Sequence, residues 1–220
     1  MQDELSIADI ERSFFEYRTN FKQPITSLWQ EVQRGEIISA LYKALSPWAI
    51  ELDNITWNQA AKSLGEVQLS VTVPSFFAGI QIGVGWLTMS VVNPDWTRAP
   101  QIISLFQTAV DTVKGVVVQE LQSQQTALGF HVRPGKRPFR EVVRRFVDAR
   151  MLASEDARMF GVSVYYDDFS FVIDSSALLP DGVFVKLSRM FPETARFEEM
   201  ADRISKDEET VLNRLGLKIQ

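Results

Sequence analysis

The stretch EVQLSVTV, residues 66–73, alternates strictly between polar and apolar side chains. A period of two predicts a β-strand with one buried face and one face towards solvent. Pro74 and Ser75 interrupt the pattern, so the strand is expected to end there. No other stretch of the chain shows so clear a strand pattern.

Weaker strand patterns lie on both sides of this stretch. Residues 14–21, FFEYRTNF, alternate in the same way, and residues 48–57 are also predicted to form a strand. In residues 80–92 the apolar positions change phase after Trp86. A change of one residue beside a glycine is typical of a β-bulge, so a single bulged strand is predicted there.

Four segments show the helical spacing of apolar residues instead. Pro100 suits the first turn of the second segment, and Gly216 suits the C-cap of the fourth. The four predicted helices cover about 25–45, 100–125, 138–150 and 193–215.

The remaining strand patterns complete the order of elements. They predict a short strand over 128–132, a hairpin over 160–174 that turns at Asp167-Asp168, and a strand over 183–187. Helices and strands do not alternate strictly one by one. The sequence therefore predicts an α+β fold, with a mixed or mainly antiparallel sheet and helices packed on one side.

The chain has 220 residues, which suits one compact domain over 1–220. Its two parts repeat a similar order, in which a strand, a break with a proline and an amphipathic helix are followed by further strands. This similarity suggests two pseudo-repeated halves at about 1–125 and 126–220. Such units are common, however, and chance explains the similarity equally well.

The composition excludes several kinds of chemistry. The chain has no cysteine, which excludes disulfides, thiolate nucleophiles and cysteine zinc sites. Its single histidine disfavours other transition-metal sites, which usually need several imidazoles. We therefore assign no catalytic residue, no metal ligand and no cofactor from the sequence.

The N-terminal residues are acidic and have no apolar segment of the kind found in signal peptides. No run reaches the roughly 18 apolar residues of a membrane-spanning helix. We expect a cytoplasmic protein that has no membrane partner.

Residues 131–150, HVRPGKRPFREVVRRFVDAR, differ most from the rest of the chain. They carry seven basic and two acidic residues, whereas the whole chain has a net charge of −5. On the predicted 138–150 helix, Phe139 and Phe146 fall on the buried stripe, and Arg140 and Arg144 share the outer face. The candidate anion-binding or partner-binding residues are Arg133, Lys136, Arg137, Arg140, Arg144 and Arg145.

Two interpretations of this arginine cluster remain open. The arginines either pair with carboxylates, from the acidic 193–215 helix or from another subunit, or they hold phosphate near a helix N-terminus. The aromatic side chains lie on the buried stripe, which counts against nucleic acid. His131 is interpreted as structural, although it shares a strand face with Arg133 and could help to hold an anion there.

Five tryptophans lie in the first half of the chain. Trp29 and Trp86 follow the apolar pattern and are predicted to be core residues. Trp48, Trp57 and Trp96 fall at the ends of elements, where tryptophan can form part of an interface, and they are the candidate interface aromatics.

These patterns favour a non-enzymatic intracellular interaction protein: an assembly subunit, adaptor or regulator of a multiprotein complex that uses charged helix surfaces. Its expected partner is a protein or a second copy of the chain. The first alternative is a phosphate or nucleic-acid binder acting through the arginine cluster at 133–150. The second alternative is a carboxylate-based or Mg²⁺-dependent hydrolase.

Overall fold

A computed structural model describes residues 6–133 and 161–219. Its three α-helices are α1 (Glu31–Leu45), α2 (Ala99–Val117) and α3 (Phe197–Leu215). Its first six strands are β1 (Ser6–Phe21), β2 (Ile55–Trp57), β3 (Gln68–Val73), β4 (Ala78–Gly83), β5 (Trp86–Val92) and β6 (Leu121–Arg133). The other strands are β7 (Gly161–Tyr165), β8 (Phe169–Ser175), β9 (Val183–Phe191) and β10 (Leu217–Ile219).

The helix predicted over 138–150 lies outside the described residues, and so does most of the arginine cluster. Only Arg133 of the six candidate residues is described. The other five, which stay predictions, are Lys136, Arg137, Arg140, Arg144 and Arg145.

The predicted α+β fold class is confirmed. Strands β2 to β5 pair in sequence as an antiparallel meander, and β7, β8 and β9 do the same. The short strand β10 runs parallel to the start of β1. The sheet is therefore mainly antiparallel, and helices pack against it.

The chain divides into two compact units. Unit A comprises Phe15–Thr126 and Met190–Met200. Unit B comprises Met1–Phe14, Ala127–Arg189 and Ala201–Gln220. Each unit thus takes residues from both halves of the chain, and the duplication of two halves stays a prediction.

In unit A the strand order is β2-β3-β4-β5-β1-β6. The alternation that predicts β3 is confirmed, because Leu69, Val71 and Val73 are buried in the same core as side chains from α1 and α2. Each such aliphatic side chain contributes about 1.5–3 kcal/mol when it leaves water. The packing of alternate apolar positions against two amphipathic helices therefore stabilises this unit.

The single bulged strand predicted over 80–92 is wrong. The structure has two strands there, β4 and β5, which pair through Ile82 and Leu87 around a turn at Val84-Gly85. The side chain of Trp86 lies against Gly83, where a Cβ atom would come within 2.6 Å of the indole. A tight turn and a bulge both change the phase of the apolar positions, so the sequence pattern alone does not separate them.

Three other element boundaries also differ from the prediction. Helix α2 ends at Val117, and the following residues, from Leu121 onwards, form a long strand. Most of 48–57 is irregular or 3₁₀ structure, and only Ile55–Trp57 is a strand. Before α1, residues Thr26–Trp29 form a separate 3₁₀ turn, which takes Trp29 out of the helical phase. Trp29 was predicted to be buried but is 48% exposed.

A buried hydrogen-bond network connects three segments of unit A. The hydroxyl of Tyr17 donates to Oε1 of Gln124 at 2.7 Å, and Nε2 of Gln124 donates to the carbonyl oxygens of Pro192 and Ala195. Burial raises the pKa of Tyr17, so its hydroxyl keeps its proton and remains a donor. Because every atom in the chain of bonds has a partner, the network fixes β1, β6 and the 190–200 segment at little cost in desolvation.

In unit B the strand order is β1-β6-β9-β8-β7. The predicted hairpin turn at Asp167-Asp168 is confirmed, since the backbone N–H of Tyr166 donates to the carbonyl of Phe169 at 2.7 Å. The predicted inward face of the last helix is also confirmed, because Ile204, Val211 and Leu215 are buried.

A buried arginine joins the strands of unit B to helix α3. Arg189 on β9 is only 4% exposed. Its guanidinium makes a two-pronged contact with Asp207 of α3, through Nε at 2.5 Å and Nη2 at 2.9 Å. Its Nη1 donates to Asp168 in the hairpin turn at 2.5 Å, and the guanidinium also lies 4.9 Å from the ring centre of Phe169. One side chain thus satisfies two carboxylates from different elements.

We expect the substitution Arg189→Met to destabilise the protein by about 3–5 kcal/mol, because it leaves the carboxylate of Asp207 buried without its main partner. Urea unfolding followed by circular dichroism measures the change. The matched control is Arg196→Met, which removes the exposed ion pair with Glu199 and should cost less than about 1 kcal/mol. Equal losses in the two variants would contradict the structural role of Arg189.

Glu208 on α3 gives a second test, based on pH. Burial raises its pKa above the usual carboxyl value of 4.5. A raised pKa in the folded state means that stability is highest below the unfolded pKa and is lost as the pH rises and the carboxyl ionises. We expect Glu208→Gln to be more stable than the parent at pH 7, and the difference should disappear below about pH 4.5. Thermal melts across this range measure it.

Candidate functional site

Exposed apolar side chains gather at one end of the unit A sheet. Phe77 precedes β4, and its carbonyl accepts the backbone N–H of Val92 at the end of β5. The side chain of Phe77 is 77% exposed, and that of Trp96 is 47% exposed. We call this region the aromatic rim; it consists of Trp48, Phe77, Val92, Trp96 and Arg98 together with the buried Phe76.

Arg98 contacts Phe76 and the neighbouring Ser75. Its guanidinium lies 4.0 Å from the ring centre of Phe76, and its Nη1 donates to the carbonyl of Ser75 at 3.2 Å. The hydroxyl of Ser75 in turn donates to the carbonyl of Trp48 at 3.4 Å. A cation over an aromatic ring contributes about 0.5–1 kcal/mol at exposed sites. The rim is therefore held in place by contacts of its own.

Trp96 is positioned by the turn that leads into α2. Asp95 caps this turn, since its Oδ1 accepts the backbone N–H of Thr97 at 3.0 Å and the hydroxyl of Thr97 at 2.6 Å. These bonds lower the pKa of Asp95 and keep it ionised. One edge of the indole packs on Phe15, with 6.1 Å between the ring centres. The other part of the indole stays in contact with solvent.

Three non-glycine residues have a left-handed backbone here, one of them in the aromatic rim and two directly after rim residues. Ala49, Phe77 and Asn93 all adopt positive φ angles, of 54°, 49° and 48°. Asparagine tolerates this left-handed region, but a bulky residue such as phenylalanine rarely adopts it. The conformation costs about 1–2 kcal/mol per residue. The exposed ring of Phe77 is therefore held in place by a backbone conformation that is unfavourable in free energy.

The three candidate interface tryptophans do not form one group. Trp48 and Trp96 both belong to the aromatic rim. Trp57 lies elsewhere in unit A, where the guanidinium of the buried Arg34 stacks on it at 3.7 Å. Arg34 also donates to the carbonyl of Leu28. Trp57 therefore packs on an arginine that is itself bound to the backbone.

The described residues around the arginine cluster form their own contacts. Arg133 donates from Nε to Glu11 at 2.7 Å, which is a partner on β1 and not on the acidic helix. Asp207 of that helix binds Arg189 and lies 3.7 Å from Arg203. Arg133 is thus paired with a carboxylate of β1, and the partners of the other five candidate residues stay a prediction.

His131 does not lie against Arg133 in an anion site. Its Nδ1 is 2.9 Å from the hydroxyl of Ser176, and its ring packs on Phe184. Burial lowers the pKa of His131, and the positive charge of Arg12 lowers it further. The imidazole is therefore neutral at pH 7.

The hydrolase alternative needs carboxylates that converge on one point. Asp168 in the hairpin turn is bound to Arg189 instead. Within residues 6–133 and 161–219, no three His, Cys, Asp or Glu side chains come together as a metal-binding group would. The carboxylate-based or Mg²⁺-dependent hydrolase therefore stays a prediction.

Sequence reasoning did not identify Phe77, Val92 or Arg98. One signal was present: Phe76 and Phe77 are adjacent aromatic residues next to the Pro74-Ser75 break, where the alternation that predicts β3 has already ended. The left-handed backbone of Phe77 leaves no trace in the sequence, because it arises from the path of the chain between β3 and β4.

Comparisons with known proteins add no assignment. The chain matches no protein-family model and no curated protein. No helix within the described ranges is long and apolar enough to cross a membrane.

Strain at Phe77 can be measured by substitution. We expect Phe77→Gly to be about 1 kcal/mol more stable than Phe77→Ala, because glycine adopts a positive φ without the steric cost. Val118, which caps α2 with φ 50° and is 87% exposed, is the matched control. The free energy of unfolding of Val118→Gly should exceed that of Val118→Ala by a similar amount. Chemical unfolding of the four variants tests this. Equal stability of Phe77→Gly and Phe77→Ala would show that position 77 is not strained.

Proposed function

We propose that the protein is a non-enzymatic subunit, adaptor or regulator of a multiprotein complex, and that a protein partner packs apolar side chains onto the aromatic rim. The observation that carries this proposal is Phe77, an aromatic ring held 77% exposed by a left-handed backbone. Strain of this kind persists where the surrounding structure imposes it, and it is found at binding and functional sites.

The composition of the aromatic rim supports the same proposal. Tryptophan, phenylalanine and arginine are enriched at protein interfaces, and tryptophan and arginine are frequent among the residues that dominate binding energy. Trp96 and Phe77 provide large apolar surfaces that lose few rotatable bonds on binding. Arg98 is already fixed by Ser75 and Phe76, so that little additional ordering is needed when a partner arrives.

Site-specific photo-crosslinking in cells that make the protein tests this function. A photoreactive phenylalanine analogue at position 77 is expected to give one discrete adduct with a protein partner, which mass spectrometry identifies. The same analogue at position 118 is the matched control, because Val118 is equally exposed and strained but lies outside the aromatic rim. We expect no adduct with that partner from position 118.

Affinity for the identified partner gives the quantitative test. We expect Trp96→Ala to weaken binding by about 30-fold, the size of effect typical of a central interface aromatic. Lys43→Ala, on the exposed side of α1, should leave the affinity unchanged. The proposal fails if position 77 gives no more adduct than position 118. It also fails in its present form if the adduct joins two copies of this chain, which would indicate self-association.

The alternative of a phosphate or nucleic-acid binder acting through the arginine cluster stays a prediction. Five of the six candidate residues lie outside the described chain, and Arg133 is already paired with Glu11. No described contact favours this alternative over the interaction protein.

A further inference from the structure

A second surface of the protein has a different chemistry from the aromatic rim. In unit B, alternate residues of three neighbouring strands point away from the buried side of the sheet. On β9, Phe184 and Lys186 alternate with the buried Val183, Val185 and Leu187. On β6, His131 alternates with the buried Phe130 and Val132. We call this surface the ring face; it consists of Arg12, Phe14, His131, Phe184 and Lys186.

Three aromatic rings form a platform across the ring face. The ring centres of Phe14 and Phe184 are 6.4 Å apart, with 23° between their planes. The ring centres of His131 and Phe184 are 4.7 Å apart, with 32° between their planes. All three side chains are half-buried, so each ring keeps part of its surface in contact with solvent. The rings pack on one another, and the parts of their surfaces that remain open are suited to stacking with other flat groups.

Gly129 allows the platform to lie close to the backbone of the sheet. A Cβ atom at this position would come within 2.2 Å of Cε1 of Phe14. The ring of Phe14 therefore occupies the space that a side chain at position 129 would fill. This covering of a glycine by an aromatic ring also stabilises the pair of strands β1 and β6, so that Phe14 has a structural role in the sheet.

The hydrogen bonds of His131 define which ring nitrogen carries its proton. The hydroxyl of Ser176 already accepts the backbone N–H groups of Leu178 and Leu179, at 3.1 and 2.9 Å. Its own proton is therefore donated to Nδ1 of His131. In the neutral imidazole, Nε2 then carries the remaining proton and can donate it to a ligand on the ring face.

The ring face also carries two positive charges, those of Arg12 and Lys186. Arg12 lies close enough to His131 to lower its pKa, and Lys186 is two residues from Phe184 on the same strand face. Within the described chain neither Arg12 nor Lys186 forms an ion pair, although Asp174 lies across from Phe184. Two free cations beside a platform of rings are complementary to a chain of phosphates that carries flat bases.

We propose that the ring face binds single-stranded nucleic acid, with bases stacked on Phe14, His131 and Phe184 and with phosphates held by Arg12 and Lys186. Stacking requires bases that are not paired in a duplex, which is why single strands and not double strands are the expected ligand. This site is separate from the aromatic rim, and it also differs from the arginine cluster predicted from the sequence.

Fluorescence anisotropy with labelled oligonucleotides of about 12 residues, at about 50 mM salt, tests the proposal on the full chain. We expect binding to a single strand and much weaker binding to the duplex of the same sequence. RNA and DNA single strands both carry flat bases and phosphates, and parallel titrations with each show which of them binds more tightly. The proposal is overturned if neither single strand binds, or if the duplex binds as tightly as the single strands.

Substitutions at Phe184 test the stacking. Phe184→Leu keeps an apolar side chain but removes the ring, and it should weaken binding about tenfold. Phe184→Trp keeps a ring, so binding should persist and the new indole should be quenched by the bound bases. Tyr42→Leu, at an exposed aromatic on α1, is the matched control and should have no effect. Unchanged affinity of a folded Phe184→Leu variant would overturn the proposal.

The salt dependence tests the phosphate contacts. Arg12→Gln should reduce the slope of log affinity against log salt concentration by about 0.7, the value for one contact with a single strand. Lys43→Gln on α1 is the matched control and should leave the slope unchanged. If the combined Arg137→Ala, Arg140→Ala and Arg144→Ala variant loses binding while Phe184→Leu and Arg12→Gln retain it, the arginine cluster is the binding site and the ring face is not.

Discussion

The guanidinium of Arg189 lies between two carboxylates, and the hairpin turn, strand β9 and helix α3 of unit B all meet at it. A buried cation is stable only when its partners are in place, because its transfer out of water is expensive. The two-pronged contact with Asp207 therefore specifies how α3 is seated on the strands, and the contact with Asp168 fixes the turn. The burial of Ile204, Val211 and Leu215 also stabilises α3, but apolar burial is non-directional, whereas the paired guanidinium fixes one position of the helix.

Unit A has an uncharged counterpart of this arrangement. Tyr17 and Gln124 are buried and fully hydrogen-bonded, and through the carbonyls of Pro192 and Ala195 they hold the segment that leads into α3. In both units, a few buried polar groups specify the geometry that apolar packing stabilises. The proposed binding surfaces share no residue with these groups. A partner on the aromatic rim, or a nucleic acid on the ring face, would contact side chains whose positions the core has already determined.

The two proposed surfaces differ in how the fold presents aromatic rings. At the aromatic rim, Phe77 is displayed by a strained backbone between two strands. On the ring face, Phe14 and Phe184 follow the ordinary alternation of unstrained strands, and Gly129 provides the space for one of them. The first arrangement suits an apolar partner, because isolated rings project into solvent. The second suits flat ligands, because partly open rings pack together and are flanked by Arg12 and Lys186, which form no ion pair within the described residues.

The sequence by itself determined the fold class, because apolar periods of two and of 3.6 residues reflect which faces are buried, and these faces largely decide the order of elements. It also identified Trp48 and Trp96 as ends of elements and placed the turn at Asp167-Asp168. Only the tertiary structure decided that residues 80–92 are a hairpin, that Trp29 is exposed, and that Arg133 pairs with Glu11. The physical reason is that turn geometry, backbone strain and ion pairing depend on residues far apart in the chain, and local periodicity contains no information about which of them meet.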